Sequence, residues 1–336
     1  MIFFQASSLG NTLLYIFIGF VLFSIAFWIF SCYVASIMIF KNTLRRNSKE
    51  QWSRNPSGLE GDSLKMDIEG QEWCRKHSDF KTDVHIVNDG LNLYGEYYDF
   101  GHHRCVIILS GRTESLRYGY YFAKPYSDNG FNVLVIDPRA HGLSDGEYNS
   151  FGFNESRDAL AWTKYIHERF NISSVVYHGI CIGAAAGMLA ITSDGCPDYV
   201  DAIVTDGMFA NFGESMKNHI IERKKPTFLV YELLNHRVKR LTGHSMNKGP
   251  IDVIDKLDKA ILMLYSKEDP YSVPDYAKKL FDKAGTDQKK LVWFEHGAHS
   301  MLRITDTKRY DGAIAEFIQN VFQSKQSAMH DTKELI

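Results

Sequence analysis

The sequence predicts an α/β fold, a mostly parallel sheet of about eight strands with helices on both faces, preceded by one N-terminal transmembrane helix. Two observations carry this expectation. From Thr82 onward, short apolar runs rich in β-branched residues alternate with helical segments. Before them, Met1–Phe40 contains no charged side chain. A third observation places a site. A cysteine sits between two glycines, Gly179-Ile180-Cys181-Ile182-Gly183, where a strand gives way to a helix.

The membrane segment comes first. Leu13–Phe40 is about 28 residues, roughly 42 Å as a helix at ~1.5 Å per residue, against the ~20 residues a hydrocarbon core requires. A signal peptide is the competing reading, but no Lys or Arg precedes the run, the run is long, and no small-residue cleavage site follows. A buried core helix is disfavoured because the run is apolar on every face. Lys41, Arg45, Arg46, Lys49 and Arg54 follow at once, so the positive-inside rule expects a single-pass protein with its C-terminal body in the cytoplasm. Residues 1–40 thus form the anchor, contacting the bilayer through 13–40, and the polar stretch 41–80 reads as a connector with a short helix near Gln71–Lys76.

Residues 81–325 read as the folded domain. Val84–Val87 and Leu91–Tyr98 flank Asn88-Asp89-Gly90, the signature of a tight hairpin. Cys105–Leu109, Phe131–Ile136, Ser174–Tyr177, Val200–Thr205, Ala260–Tyr265 and Lys290–Glu295 are the further strands, with helices expected near Glu155–Phe170 and Ala184–Thr192. Residues 207–253 break the rhythm. Their basic amphipathic portion Ile220–Lys225 and a second helix near Thr227–Leu241 read as an inserted helical cap, or else a plain surface excursion. A polar, flexible tail is expected over 326–336.

Composition narrows the function. Of 336 residues, 45% are hydrophobic and 23% charged, enough for a large core. The net charge of −2 argues against nucleic acid as a partner. The five cysteines are scattered, without CxxC or Cys/His ligand spacing, so no metal site is expected and a reducing compartment is the simpler reading.

Nucleophiles at sharp strand-to-helix turns need small neighbours, which Gly179 and Gly183 supply. The following helix places partial positive charge beside the sulfur, favouring the nucleophilic thiolate. The alternative is that Cys181 is a small buried hydrophobe in a site without chemistry. His299, in the loop His296-Gly297-Ala298-His299 after the last strand, is the expected base, with His296 the less favoured choice. Asp269, in Ser266-Lys267-Glu268-Asp269-Pro270, is the expected acid, with Glu268 and Asp206 in reserve. Backbone N–H groups of Ile182 and Arg112 are the expected oxyanion hole. The Arg112 side chain is read as a surface partner of Glu114, or else as a contact to a charged head group. Asp137–Gly146, including His141, is read as structural.

These motifs, in this order, resemble the α/β-hydrolase superfamily, and within it the lysophospholipase and monoacylglycerol-lipase-like group labelled serine aminopeptidase S33. SGRTES, DPRAHGLSDG, GICIG, SKEDP and HGAH carry the resemblance over roughly residues 82–325. It implies the same triad, Cys181, Asp269 and His299, and the same oxyanion donors, Arg112 and Ile182. Cysteine replaces the usual serine, as in dienelactone hydrolase, and Ser-Gly-Arg replaces the more usual His-Gly. The expected activity is hydrolysis of an ester or thioester with a hydrophobic acyl part, through an acyl-thioester and without metal or organic cofactor. A second reading is a non-catalytic membrane protein that uses the pocket for ligand or protein binding. A third transfers the acyl group to an acceptor other than water.

Overall fold

The computed structural model describes residues 2–46, 58–222 and 227–334. Lys49, Arg54 and Arg223-Lys224-Lys225, all singled out in the sequence, lie outside the described residues.

Helix α1 runs Ile2–Thr43 and α2 Gly61–Lys76, so the connector carries a far longer helix than the Gln71–Lys76 turn expected. Its buried face, Met66, Gly70 and Trp73, follows a spacing that the surrounding charges obscured in the sequence. Strands β1 (Lys81–Asn88) and β2 (Leu91–Tyr98) form the hairpin. Asp89 and Gly90 both take positive φ, 51° and 75°, as a two-residue turn matching the strand twist requires.

β3 (Arg104–Leu109), the short helices α3 (Leu116–Gly119) and α4 (Lys124–Ser127), β4 (Asn132–Ile136), α5 (Phe153–Phe170), β5 (Ser174–Ile180), α6 (Ile182–Ile191) and β6 (Val200–Asp206) follow. Helices α7 (Phe212–Glu222) and α8 (Val230–Thr242) then interrupt the alternation where the cap was expected. β7 (Ala260–Ser266), α9 (Pro274–Lys283), β8 (Lys289–Phe294), α10 (Leu302–Thr305) and α11 (Thr307–Glu334) complete the chain. Helix α11 continues through most of the segment read as a tail.

The eight strands form one sheet in the order β1-β2-β4-β3-β5-β6-β7-β8. β1 and β2 are antiparallel; the pairs from β4 to β8 are parallel. Central strands buried on both faces explain the near-continuous apolar runs in β3 to β7. One core layer lies beneath α2, α4 and α11, around Phe122, Tyr126 and Ile314. The other lies beneath α5, α6 and α9, around Trp162, Met188 and Leu280. A third cluster joins the end of α1 to the cap, with Phe40 and Leu44 packed among Phe212, Met216, Tyr231 and Leu234. The carboxyl ends of β3, β5, β6 and β7 open beneath it, where open α/β sheets place their ligands.

Candidate active site

At the end of β5 the chain turns into α6 through Cys181, whose backbone is held at φ 52°, ψ −111°. Left-handed φ is costly for a residue with a side chain and persists only where its surroundings enforce it. Here the Cys181 N–H donates to the Asp206 carbonyl at 2.9 Å, locking the turn to the end of β6. The two flanking glycines allow close approach. A Cβ on Gly179 would lie 2.4 Å from the Ala184 backbone, and one on Gly183 only 1.8 Å from the Leu109 carbonyl oxygen. The elbow therefore presses β5, α6 and the end of β3 together, and Cys181 remains only partly buried at its tip.

His299 and Asp269 meet at the same point. Asp269 Oδ2 is 2.7 Å from His299 Nδ1, and its other oxygen accepts the N–H groups of Tyr271 at 2.8 Å and Ser272 at 3.0 Å. Burial pushes the Asp269 pKa up, but the His299 bond and charge and these two N–H groups hold it below the ordinary carboxylate value. The imidazole and Cys181 line the same cavity, near enough for the sulfur to act on the charge of the ring. Burial pulls the His299 pKa down; the sulfur and the carboxylate outweigh it and raise the imidazole well above 6.5. Tyr118 donates its hydroxyl to the Ser300 carbonyl at 2.8 Å, fixing the loop that carries His299.

The alternative side chains have other partners. His296 pairs with Glu268 at 3.0 Å, both well exposed. Asp206 is fully buried and accepts the Tyr310 hydroxyl at 2.9 Å, and its other oxygen has no hydrogen-bond partner. Burial pushes its pKa up to about 7. From Tyr310 a buried chain continues to His178 at 3.1 Å and Tyr126 at 2.9 Å. Burial, and then the Arg303 charge, lower His178 to about 3, so its ring is neutral. This network stiffens the floor beneath the elbow.

Ile182 is the first residue of α6, so its N–H belongs to the set a helix leaves without an intrahelical acceptor. The facing loop is fixed at three points. Gly111 N–H donates to Glu114 at 2.9 Å, Thr113 N–H to His141 Nε2 at 3.2 Å, and the Arg112 guanidinium to the Thr43 carbonyl at 2.9 Å. The Arg112–Glu114 surface pair expected from sequence is therefore corrected. Arg112 reaches back to the end of α1, and Glu114 folds into the site.

Burial pushes Glu114 up to about 7 against the pull of Gly111 N–H, His299 and Arg112. Burial likewise lowers His141 to about 4, leaving a neutral ring whose Nδ1–H donates to the Arg139 carbonyl at 2.8 Å. The structural reading of Asp137–Gly146 is consistent with this, since Arg139 also forks onto Asp158 with both bonds at 2.7 Å. Replacing His141 with Phe is expected to leave the Thr113 N–H unpaired, at a cost of about 1–3 kcal/mol. It should lower kcat more than it raises KM. Urea unfolding and steady-state kinetics check the two parts.

Cys181, His299, Arg112, Glu114, Phe212 and Met216 line one cavity of about 160 Å³, together with Thr43 and Tyr271. Sequence reasoning missed Glu114, Tyr271 and Thr43. Glu114 was legible as an acid in the loop after β3, two residues beyond Arg112. Thr43 was not, because nothing in a long apolar helix announces that its end returns to a distant loop.

Comparison with known proteins agrees with the architecture. Residues 104–229 match the family described as alpha/beta hydrolase fold. The uncharacterized protein YqkD of Bacillus subtilis is 28% identical over 224 residues, 66% of this chain and 73% of that protein. Protein ABHD12B of Homo sapiens is 26% identical over 213 residues, 59% of this chain and 56% of that protein. Among solved structures, an esterase from Pyrococcus furiosus superposes with a TM-score of 0.62 at 19% identity, covering 74% of this chain and 93% of its own. An esterase from Exiguobacterium antarcticum gives 0.54 at 13% identity, covering 71% and 100%. With its sheet order and elbow, this chain is an α/β-hydrolase-fold protein carrying one N-terminal helix long and apolar enough to cross a membrane.

Proposed function

We propose that the protein is a membrane-anchored acyl hydrolase that cleaves a carboxylic ester or thioester through Cys181, His299 and Asp269. The observation that carries this reading is the 2.7 Å pairing of the His299 imidazole with the Asp269 carboxylate in the same cavity that Cys181 lines from a strained elbow. A cysteine serving only as packing would need none of these features, which weighs against the non-catalytic reading.

The sulfur attacks the carbonyl carbon as a thiolate, and the developing oxyanion is met by the N–H groups of Ile182 and Arg112. His299, protonated, gives its proton to the departing alcohol or thiol, leaving an acyl-thioester on Cys181. The now neutral imidazole takes a proton from water, whose oxygen attacks the thioester, and the acid leaves as the thiolate is restored beside the protonated imidazole. Asp269 holds the imidazole in orientation and stabilises its charged form.

The cap side chains Phe212 and Met216 give the cavity an apolar wall suited to an acyl chain. The cluster of basic residues following α1 supports a cytoplasmic body, and protease protection in sealed vesicles tests that orientation. Protection of the catalytic body in inside-out vesicles would reverse it.

Turnover of esters and thioesters of graded chain length by the full chain in detergent, lost in Cys181→Ala, is the expected result. A folded protein with no turnover above that variant on any substrate would overturn the hydrolase reading.

Asp269→Asn tests the electrostatics. Because Asp269 helps raise the His299 pKa, imidazolium persists above pH 6.5, and activity falls on the alkaline side as that proton is lost. Removing the carboxylate should shift this alkaline limb to lower pH and reduce kcat by about 10³–10⁴-fold. A kcat–pH profile checks both the direction and the loss.

A further inference from the structure

Helix α1 is longer than a bilayer needs, and its two parts differ. Every residue from Gly10 to Ser31 is exposed, a length of about 33 Å at ~1.5 Å per residue, close to the ~30 Å of a hydrocarbon core. From Cys32 the helix has a buried face, Cys32, Ser36, Phe40 and Thr43, with Ala35 and Ile39 partly buried beside it, at helical spacing. Its partner is the cap helix α8. The small side chains of Cys32, Ala35 and Ser36 let the two backbones approach closely. Arg237 of α8 lies over the Tyr33 ring at 5.5 Å, and the Arg112 bond to Thr43 closes the far end.

This last stretch, Cys32–Thr43, is about 18 Å long at ~1.5 Å per residue and ends at the cavity. It is a stalk that belongs to the catalytic body.

The contact between Trp28 and Phe228 sets the level of the cap. The rings stack with centroids 6.1 Å apart, and Trp28 lies in the last turn of the fully exposed stretch. Tryptophan favours the boundary between hydrocarbon and head groups. Phe228 nevertheless remains 75% exposed, and Ile221, at the end of the other cap helix, 60%. These side chains continue the lipid-facing surface of α1.

We propose that the cap tip at Phe228 and Ile221 enters the bilayer beside Trp28, and that the cavity receives the acyl chain of a bilayer-resident ester along the seam between α1 and the cap. The second half of this inference rests on the acyl-hydrolase reading; the first does not.

The test uses the full chain in phosphatidylcholine vesicles. An environment-sensitive fluorescent amino acid is placed at position 228 and, in a separate protein, at position 87, where exposed Val87 lies on β1. Brominated lipid should quench the probe at 228 and leave that at 87 unchanged. Equal access of aqueous iodide to both would overturn bilayer contact.

The double variant Phe228→Asp, Ile221→Asp should lose at least tenfold turnover of a long-chain ester presented in vesicles. It should keep turnover of a water-soluble short-chain ester within twofold. Equal loss on both esters, or on neither, would overturn delivery from the bilayer. Were the unaltered protein to cleave neither ester, the hydrolase reading would fall and delivery with it, while lipid quenching still decides the membrane contact.

Discussion

Cys181→Ala is expected to lower kcat/KM for the preferred ester by at least about 10³-fold, leaving only what substrate binding and the oxyanion donors supply. The loss should be confined to chemistry, because the cysteine side chain is only partly buried and its removal leaves a small space open to the cavity. Folding should be nearly unaffected, and the near-ultraviolet circular dichroism spectrum checks this in the same preparation. His299→Ala should match it in magnitude, and the double variant should be little worse than either. Residues that act as one unit are strongly non-additive. Additive losses, each separately large, would show that the two side chains do not work on the same step.

The largest effect on stability is expected at Gly183. An alanine Cβ there would lie 1.8 Å from the Leu109 carbonyl oxygen and 2.7 Å from that of Ser110. Both are backbone atoms at the end of β3 and the start of the loop that carries Arg112, so no side chain can turn aside. Either α6 or the end of β3 must move, and both also position the site. Gly183→Ala should cost at least about 3 kcal/mol, more than overpacking at a yielding site. For a body of this size that is about 2–4 °C in Tm per kcal/mol. Gly312→Ala in α11 is the matched control, since no atom lies within 4 Å of its added Cβ. It should be neutral or stabilise the helix by up to ~1 kcal/mol. Thermal unfolding of both variants beside the parent protein distinguishes a site-specific clash from a general intolerance of added methyls.

Much of this molecule was legible because its elements obey simple periods. The doubly buried strands β3 to β7 read as apolar runs, and Asn88-Asp89-Gly90 named its own turn. The elbow was legible because Gly179 and Gly183 are required by contacts that no larger residue permits. The pairing of His299 with Asp269 followed from their places after β8 and β7. The long helix α2 was hidden, since charged residues interrupt its apolar spacing.

Partners set by tertiary contact were hidden as well. Arg112 bonding to Thr43 joins residues 69 apart in sequence. The docking of Cys32–Thr43 on α8 likewise has no local signature, because a membrane helix is apolar whether its neighbour is lipid or protein. Arg46, counted among the positive residues after the membrane segment, donates to the carbonyls of Gly142 and Ser144 at 2.6 and 2.8 Å. Its charge is therefore engaged in packing within the folded body.

The central claim is the acyl-thioester on Cys181, and trapping it is the most direct measurement. The full chain would be mixed with a slowly hydrolysed acyl ester, quenched in acid, digested, and mapped by mass spectrometry. The acyl mass is expected on the peptide containing Cys181, removed by neutral hydroxylamine and missing in Cys181→Ala. Ester turnover with no acyl group on that peptide, or with the label on another residue, would contradict it.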